Sequence, residues 1–160
     1  MPSPFERDPA QVFGAPGFFS YMRLHVLVVD DNPLLAEAVS ALLETDARIE
    51  VVGCAENGAE AVDFARKLVP DVILMDIRMP VMSGIEATER ILDWLPEVKV
   101  LVLTAHGSDE EIEVAFTAGA VGCLTKDDLG DRLTDMVVEI AQPKRRELAA
   151  SFSAERLLPT

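Results

Sequence analysis

Apolar residues along the chain come in short unbroken runs, separated by stretches in which they recur every three or four positions. From Arg23 onward the two patterns alternate five times. The runs at 24–29, 49–54, 72–76, 98–105 and 122–125 predict strands, the third and fourth almost wholly apolar, as strands buried on both faces are. The stretches between and after them predict helices. The first opens at Asn32 as cap with Pro33 in the first helical position, and takes its apolar face from Leu34, Leu35, Ala38 and Leu42. The second spans 58–68 and stops ahead of Pro70. The third and fourth open on capping-box patterns, Ser83 with Glu86 and Ser108 with Glu111, and run to about Leu95 and to just before Gly119. The fifth covers about 128–140, with Leu129, Leu133, Met136, Val137 and Ile140 on one face.

Five strand–helix units in succession predict an α/β fold: a doubly wound, five-stranded parallel sheet covered by helices on both faces. Strand order 2-1-3-4-5 is the usual solution at this size, and ligands then bind at the carboxyl ends of the strands. Residues 1–22, rich in Pro, Gly and Phe and without a period, read as a poorly ordered extension; 23–141 is the folded domain. Residues 142–160 read as a continuation of the last helix or a linker, and the basic run Lys144, Arg145, Arg146 within them as solvated.

Charge narrows the function. The 28 acidic residues exceed the 14 basic ones, for a net charge of −14. Such a surface repels phosphate backbones, so this chain alone is expected to bind no nucleic acid. No apolar run is long enough for a membrane span and no signal peptide is evident, so no membrane contact and a cytoplasmic location are expected. Cys54 and Cys123 fall on opposite edge strands of the expected sheet, about 19 Å apart at a strand spacing of about 4.8 Å, which excludes a disulfide.

That strand order gathers five polar residues on one rim. Asp30 and Asp31 follow the first strand, Asp76 ends the third, Thr104 lies near the end of the fourth and Lys126 follows the fifth. Two like charges about 5 Å apart repel by about 3 kcal/mol at an effective dielectric of 20, so three clustered carboxylates either protonate in part or recruit a cation. Oxygen ligands with room for water and phosphate suit Mg²⁺ or Mn²⁺. The cation keeps Asp76 ionised as a nucleophile, while Lys126 and the Thr104 hydroxyl are suited to hold phosphoryl oxygens.

The strings VVDDN, LMDIRMP with MSG, VLTA and GAVGCLTK, in this order over about residues 23–140, resemble the response-regulator receiver domain of two-component signalling. The expected sheet is then the flavodoxin-like receiver fold, itself a standard instance of the 2-1-3-4-5 order. The resemblance implies that Asp76 is the phosphoacceptor and that Asp31 binds Mg²⁺ directly. It implies that Asp30 helps through a bound water, that the backbone carbonyl of Arg78 completes the metal ligands, and that Thr104 and Lys126 engage the phosphoryl group. It also implies a sensor histidine kinase as donor, and enzymatic activity limited to self-phosphorylation and autodephosphorylation.

DIRMP, KVLVLTAH and CLTKDD are most similar to the NarL/FixJ type, which implies a LuxR-type DNA-binding output domain beyond this chain. It implies homodimers through helix four, strand five and helix five, or through helices one and five. Two departures stand out. Asp127 replaces the Pro that commonly follows the lysine, and Cys123 occupies the place of a Tyr or Phe that rotates on activation in many receivers. His106, two residues past Thr104, is a candidate for tuning acyl-phosphate hydrolysis, and Trp94 reads as helix-end packing. Two other functions compete. One is a haloacid-dehalogenase-like phosphohydrolase, against which Arg78 stands where the acid/base of a DxD motif belongs. The other is a receiver-like docking module that takes no phosphate.

Overall fold

The computed structural model describes residues 23–142; the expectations for 1–22, and for the tail past Gln142 with its basic run, lie outside them. The elements are β1 (Leu24–Val29), α1 (Pro33–Glu44), β2 (Ile49–Ala55), α2 (Gly58–Leu68), β3 (Val72–Asp76), α3 (Gly84–Trp94), β4 (Lys99–Thr104), α4 (Asp109–Ala118), β5 (Gly122–Thr125) and α5 (Asp131–Ala141). The five strands form one parallel sheet in the order β2-β1-β3-β4-β5. Cys54 and Cys123 are therefore on opposite edges, and both are free thiols.

Alternation along the strands builds two separate cores. Leu27, Val29, Ile73, Met75, Val100 and Val102 point to one face, where Ala61 and Ala65 of α2, Ala87 and Ile91 of α3 and Ala115 of α4 cover them. Val26, Val28, Val72, Leu74, Leu101 and Leu103 point to the other, beneath Ala36, Val39 and Leu43 of α1 and Leu133 and Val137 of α5. Small residues on the covering helices let them lie close to the sheet.

The register fixes the rim. Val29 pairs with Met75, so Asp30 and Asp76 end level with each other. Asp76 pairs with Leu103 and Thr104 with Thr125, so Thr104 stands one residue beyond Asp76 and Lys126 one further. The caps face the same rim. Asn32 accepts from the amides of Leu34 and Leu35, Asn57 from Glu60, Ser83 from Glu86 and Ser108 from Glu111.

Three expectations need correction. The buried stripe of α1 is Ala36, Val39 and Leu43; Leu34 is 77% exposed and Ala38 is exposed, with Leu35 and Leu42 only flanking the core. The stripe is set by which residues the sheet can accept closely, and it runs one step along from the expected one. The last helix starts at Asp131 rather than Asp128, because Lys126–Asp128 form a 3₁₀ turn in which the Thr125 hydroxyl donates to Asp128 at 2.9 Å. The capping boxes are one-sided. The serines accept as expected, but the carboxylate of Glu86 bonds Arg90, and that of Glu111 bonds Arg78 and Thr104. Trp94, at the end of α3, is 44% exposed, and the Arg66 guanidinium lies 3.5 Å from its ring centre.

Candidate functional site

The rim closes into a cleft of about 230 Å³ whose lining includes Asp31, Asp76, Arg78, Thr104 and Lys126. Burial divides the acidic residues. Asp30 and Asp76 are buried, at 3% and 5% exposure, and Asp31 is exposed. One oxygen from each lies within 4.8 Å of the other two. Every side chain expected at the site is thus brought together.

Each position has a local cause. β1 and β3 are doubly buried, so their C-terminal ends leave the sheet from its middle and carry Asp30 and Asp76 out of the core. Oδ1 of Asp30 accepts from the backbone amide of Asn32 at 2.9 Å, which fixes the turn that holds Asp31 at the mouth. The loop after Asp76 folds back tightly. The Gly84 amide donates to the Ile77 carbonyl at 2.8 Å, and a Cβ on Gly84 would stand 1.8 Å from the Asp76 carbonyl oxygen. Gly58 makes a second close approach, its amide donating to the Met82 carbonyl at 3.1 Å. Between these contacts Val81 takes a positive φ of 69° and is 84% exposed.

The charges are unbalanced. The Lys126 ammonium lies 3.0 Å from Oδ2 of Asp30 and 3.3 Å from Oδ2 of Asp76, so it pairs with two of the three clustered carboxylates. Burial, and then the charge of Asp30, push the Asp76 carboxyl up to about 6, against the opposing pull of Lys126. Burial pulls Lys126 down, but its close contact with Asp30 and the charge of Asp76 outweigh this and hold it above the usual lysine range. Oδ2 of Asp30 is buried and lacks a well-directed hydrogen bond; the ammonium meets it as a charge. A buried, under-satisfied carboxylate oxygen among all-oxygen donors with excess negative charge is what a hard divalent cation fits.

Thr104 is buried, and its hydroxyl is already engaged. It donates to Oε2 of Glu111 at 3.2 Å and accepts from the Gly107 amide at 3.1 Å. Gly107 adopts φ +58°, which suits glycine in this turn. The other oxygen of Glu111 accepts from the Arg78 guanidinium, with Nε at 3.1 Å. The Arg78 hydrogen bond, helped by Thr104, holds the Glu111 carboxyl below its ordinary value. Reading the sequence assigns Glu111 only to a helix cap; its one available signal is its place in the first turn of the helix after Thr104. His106 is exposed beside the cleft. Cys123 is half-buried, and burial followed by the charge of Glu111 pushes its thiol up. His25 lies at the start of β1, with Nε2 3.5 Å from Glu50, in no metal-binding group.

No helix among the described residues is long and apolar enough to cross a membrane. A response regulator receiver domain model matches residues 26–138. The transcriptional regulatory protein DegU of Brevibacillus brevis is 38% identical over 120 residues, 75% of this chain and 51% of DegU. A protein-glutamate methylesterase/protein-glutamine glutaminase of Photobacterium profundum is 42% identical over 132 residues, 80% of this chain and 33% of that protein. Among solved structures, the signal receiver domain of the putative response regulator NarL from Mycobacterium tuberculosis matches with a TM-score of 0.73 at 32% identity, covering 76% of this chain and 98% of that one. The chain spans about half the length of DegU, and less of the methylesterase.

Proposed function

Because the chain belongs to the response-regulator receiver domain family, we propose that it accepts a phosphoryl group on Asp76 from the phosphorylated histidine of a sensor kinase. The observation that supports this best is the buried Asp76 carboxylate, which shares the Lys126 ammonium with Asp30 while Asp31 stands within reach.

A carboxylate oxygen of Asp76 attacks phosphorus, the bond from phosphorus to the donor imidazole nitrogen breaks, and that nitrogen keeps the electron pair. The product is an acyl phosphate on Asp76. The attack needs the ionised carboxyl, and a pKa of about 6 leaves about nine-tenths of it ionised at pH 7. Lys126 pairs with the arriving phosphoryl oxygens, and Thr104 donates to another once its hydroxyl turns from Glu111. Asp31, Asp76 and the Arg78 carbonyl would hold Mg²⁺ or Mn²⁺, with Asp30 assisting through a water. Bound there, the cation supplies positive charge against the carboxylates and the phosphoryl oxygens. Hydrolysis reverses the state: water attacks phosphorus, the bond to the Asp76 oxygen breaks, and phosphate leaves. His106, exposed at the mouth, tunes that step. No further enzymatic activity is proposed.

The wider role follows the DegU and NarL similarity. The receiver acts in the cytoplasm and regulates transcription through a LuxR-type DNA-binding output domain. It dimerises through the face of α4, β5 and α5, or through α1 and α5. The methylesterase similarity supports a second reading, an enzymatic output domain in place of the DNA-binding one.

The test is the intact mass after incubation with Mg²⁺ and a small phosphodonor. One added phosphoryl group, absent in Asp76→Asn, is expected. An unchanged mass in the wild-type protein overturns phosphoryl acceptance and leaves the docking module.

A further inference from the structure

Glu111 makes two contacts that a helix cap does not need. Its carboxylate takes the Thr104 hydroxyl at 3.2 Å with one oxygen and the Arg78 guanidinium with the other. Both donors line the cleft beside Asp76. Ser108 caps the Glu111 amide, while the Glu111 carboxylate turns to Thr104 and Arg78. A second observation concerns the helix that carries it. α4 buries only Ala115, whereas α2 and α3 bury four residues each. A helix held by so few buried contacts shifts at low cost. A groove of about 210 Å³ lined by Ile77, Ile85, Glu110 and Val114 lies beside its first turns.

We propose that Glu111 is the positioning residue that couples the cleft to α4: it holds Thr104 and Arg78 while Asp76 is bare, and releases them when a phosphoryl group competes for both. The proposal rests on phosphoryl acceptance at Asp76. The competition is one of charge. A phosphoryl group carries more negative charge than one carboxylate and offers several acceptor oxygens, so it outbids Glu111 for a hydroxyl and a guanidinium. Thr104 hydrogen-bonds a carboxylate on α4, so its departure unties α4 directly. This gives the site an outlet that does not require an aromatic side chain at Cys123. The Arg78 side of the pair is 82% exposed, against 22% for Glu111, so the guanidinium is free to turn toward another acceptor.

The experiment compares wild type, Glu111→Gln and Glu111→Ala in Mg²⁺, using beryllofluoride as the phosphoryl mimic. It reads both apparent beryllofluoride affinity and amide hydrogen exchange over residues 109–118. Release of the competing carboxylate is expected to raise affinity about three- to tenfold. Exchange over α4 in the variants, without beryllofluoride, is expected to resemble that of the wild type with it. Glu111→Asp, which keeps the carboxylate, is expected to lie between. A normal wild-type response with both variants indistinguishable from it overturns the coupling role alone. No wild-type response to beryllofluoride overturns phosphoryl acceptance and the coupling role together.

Discussion

The Lys126 ammonium stands closer to Asp30, at 3.0 Å, than to Asp76, at 3.3 Å. The proposed phosphoacceptor is thus the less tightly held of the two. Replacing Lys126 with Ala removes the ammonium that pairs with Asp30 and Asp76. The metal-free variant is expected to lose about 2–4 kcal/mol of stability, since a buried pair broken on one side leaves an unpaired charge. Added Mg²⁺ is expected to restore part of that loss. Urea denaturation in chelator and in Mg²⁺ measures both; equal losses in the two conditions contradict the prediction.

The raised pKa of Asp76 sets a slope of stability against pH. The folded protein holds this proton more tightly than the unfolded chain, so the contribution is fully present below about pH 4 and is lost as pH rises through about 6. The displacement from 3.8 to about 6 corresponds to about 3 kcal/mol. In chelator, the stability of wild type relative to Asp76→Asn is expected to fall by that order between pH 4 and 7. A difference that stays level across the range contradicts the assignment.

Gly84 lies where any side chain would strike the backbone of Asp76, its Cβ 1.8 Å from the carbonyl oxygen. Relief requires α3 or the end of β3 to move. Gly84→Ala is expected to cost about 2–4 kcal/mol and to slow phosphorylation of Asp76. Thermal unfolding and intact-mass time courses check the two effects. A variant with unchanged stability means that the loop yields more easily than the contact implies.

Cys123 lies on edge strand β5, half-buried, and is smaller than the aromatic side chains common at this place. Cys123→Tyr is expected to change phosphorylation-dependent self-association more than the extent of phosphorylation at Asp76. Sedimentation and intact mass on the same samples measure them side by side, and equal effects on both contradict the expectation.

The sequence reveals the strands and the acidic cluster for one reason. A doubly buried strand must be apolar along its whole length, so the first carboxylate marks the place where it leaves the core, as at Asp30 and Asp76. What local pattern does not carry is the phase of a helix against a sheet. Ala36, rather than Leu34, faces the core because a small residue lets α1 lie close. Nor does it carry a side chain's choice among partners. Glu111 fits a capping box by spacing, yet a guanidinium 33 residues away and a buried hydroxyl draw its carboxylate elsewhere. The 3₁₀ turn at Lys126–Asp128 likewise depends on a Thr125–Asp128 contact that helix periodicity does not register.

The stepped register of the strand ends also governs which changes of chain length the molecule tolerates. Asp30 and Asp76 end level, Thr104 stands one residue beyond and Lys126 one further, and side chains alternate between the two cores. Inserting or deleting a single residue in β1, β3, β4 or β5 therefore displaces a reactive group and inverts a strand's inward and outward sides at once. The connections at the opposite ends of the strands, residues 45–48, 69–71, 95–98 and 119–121, carry no such constraint. A residue added in those connections leaves the register of the strand ends intact, whereas one added within a strand does not.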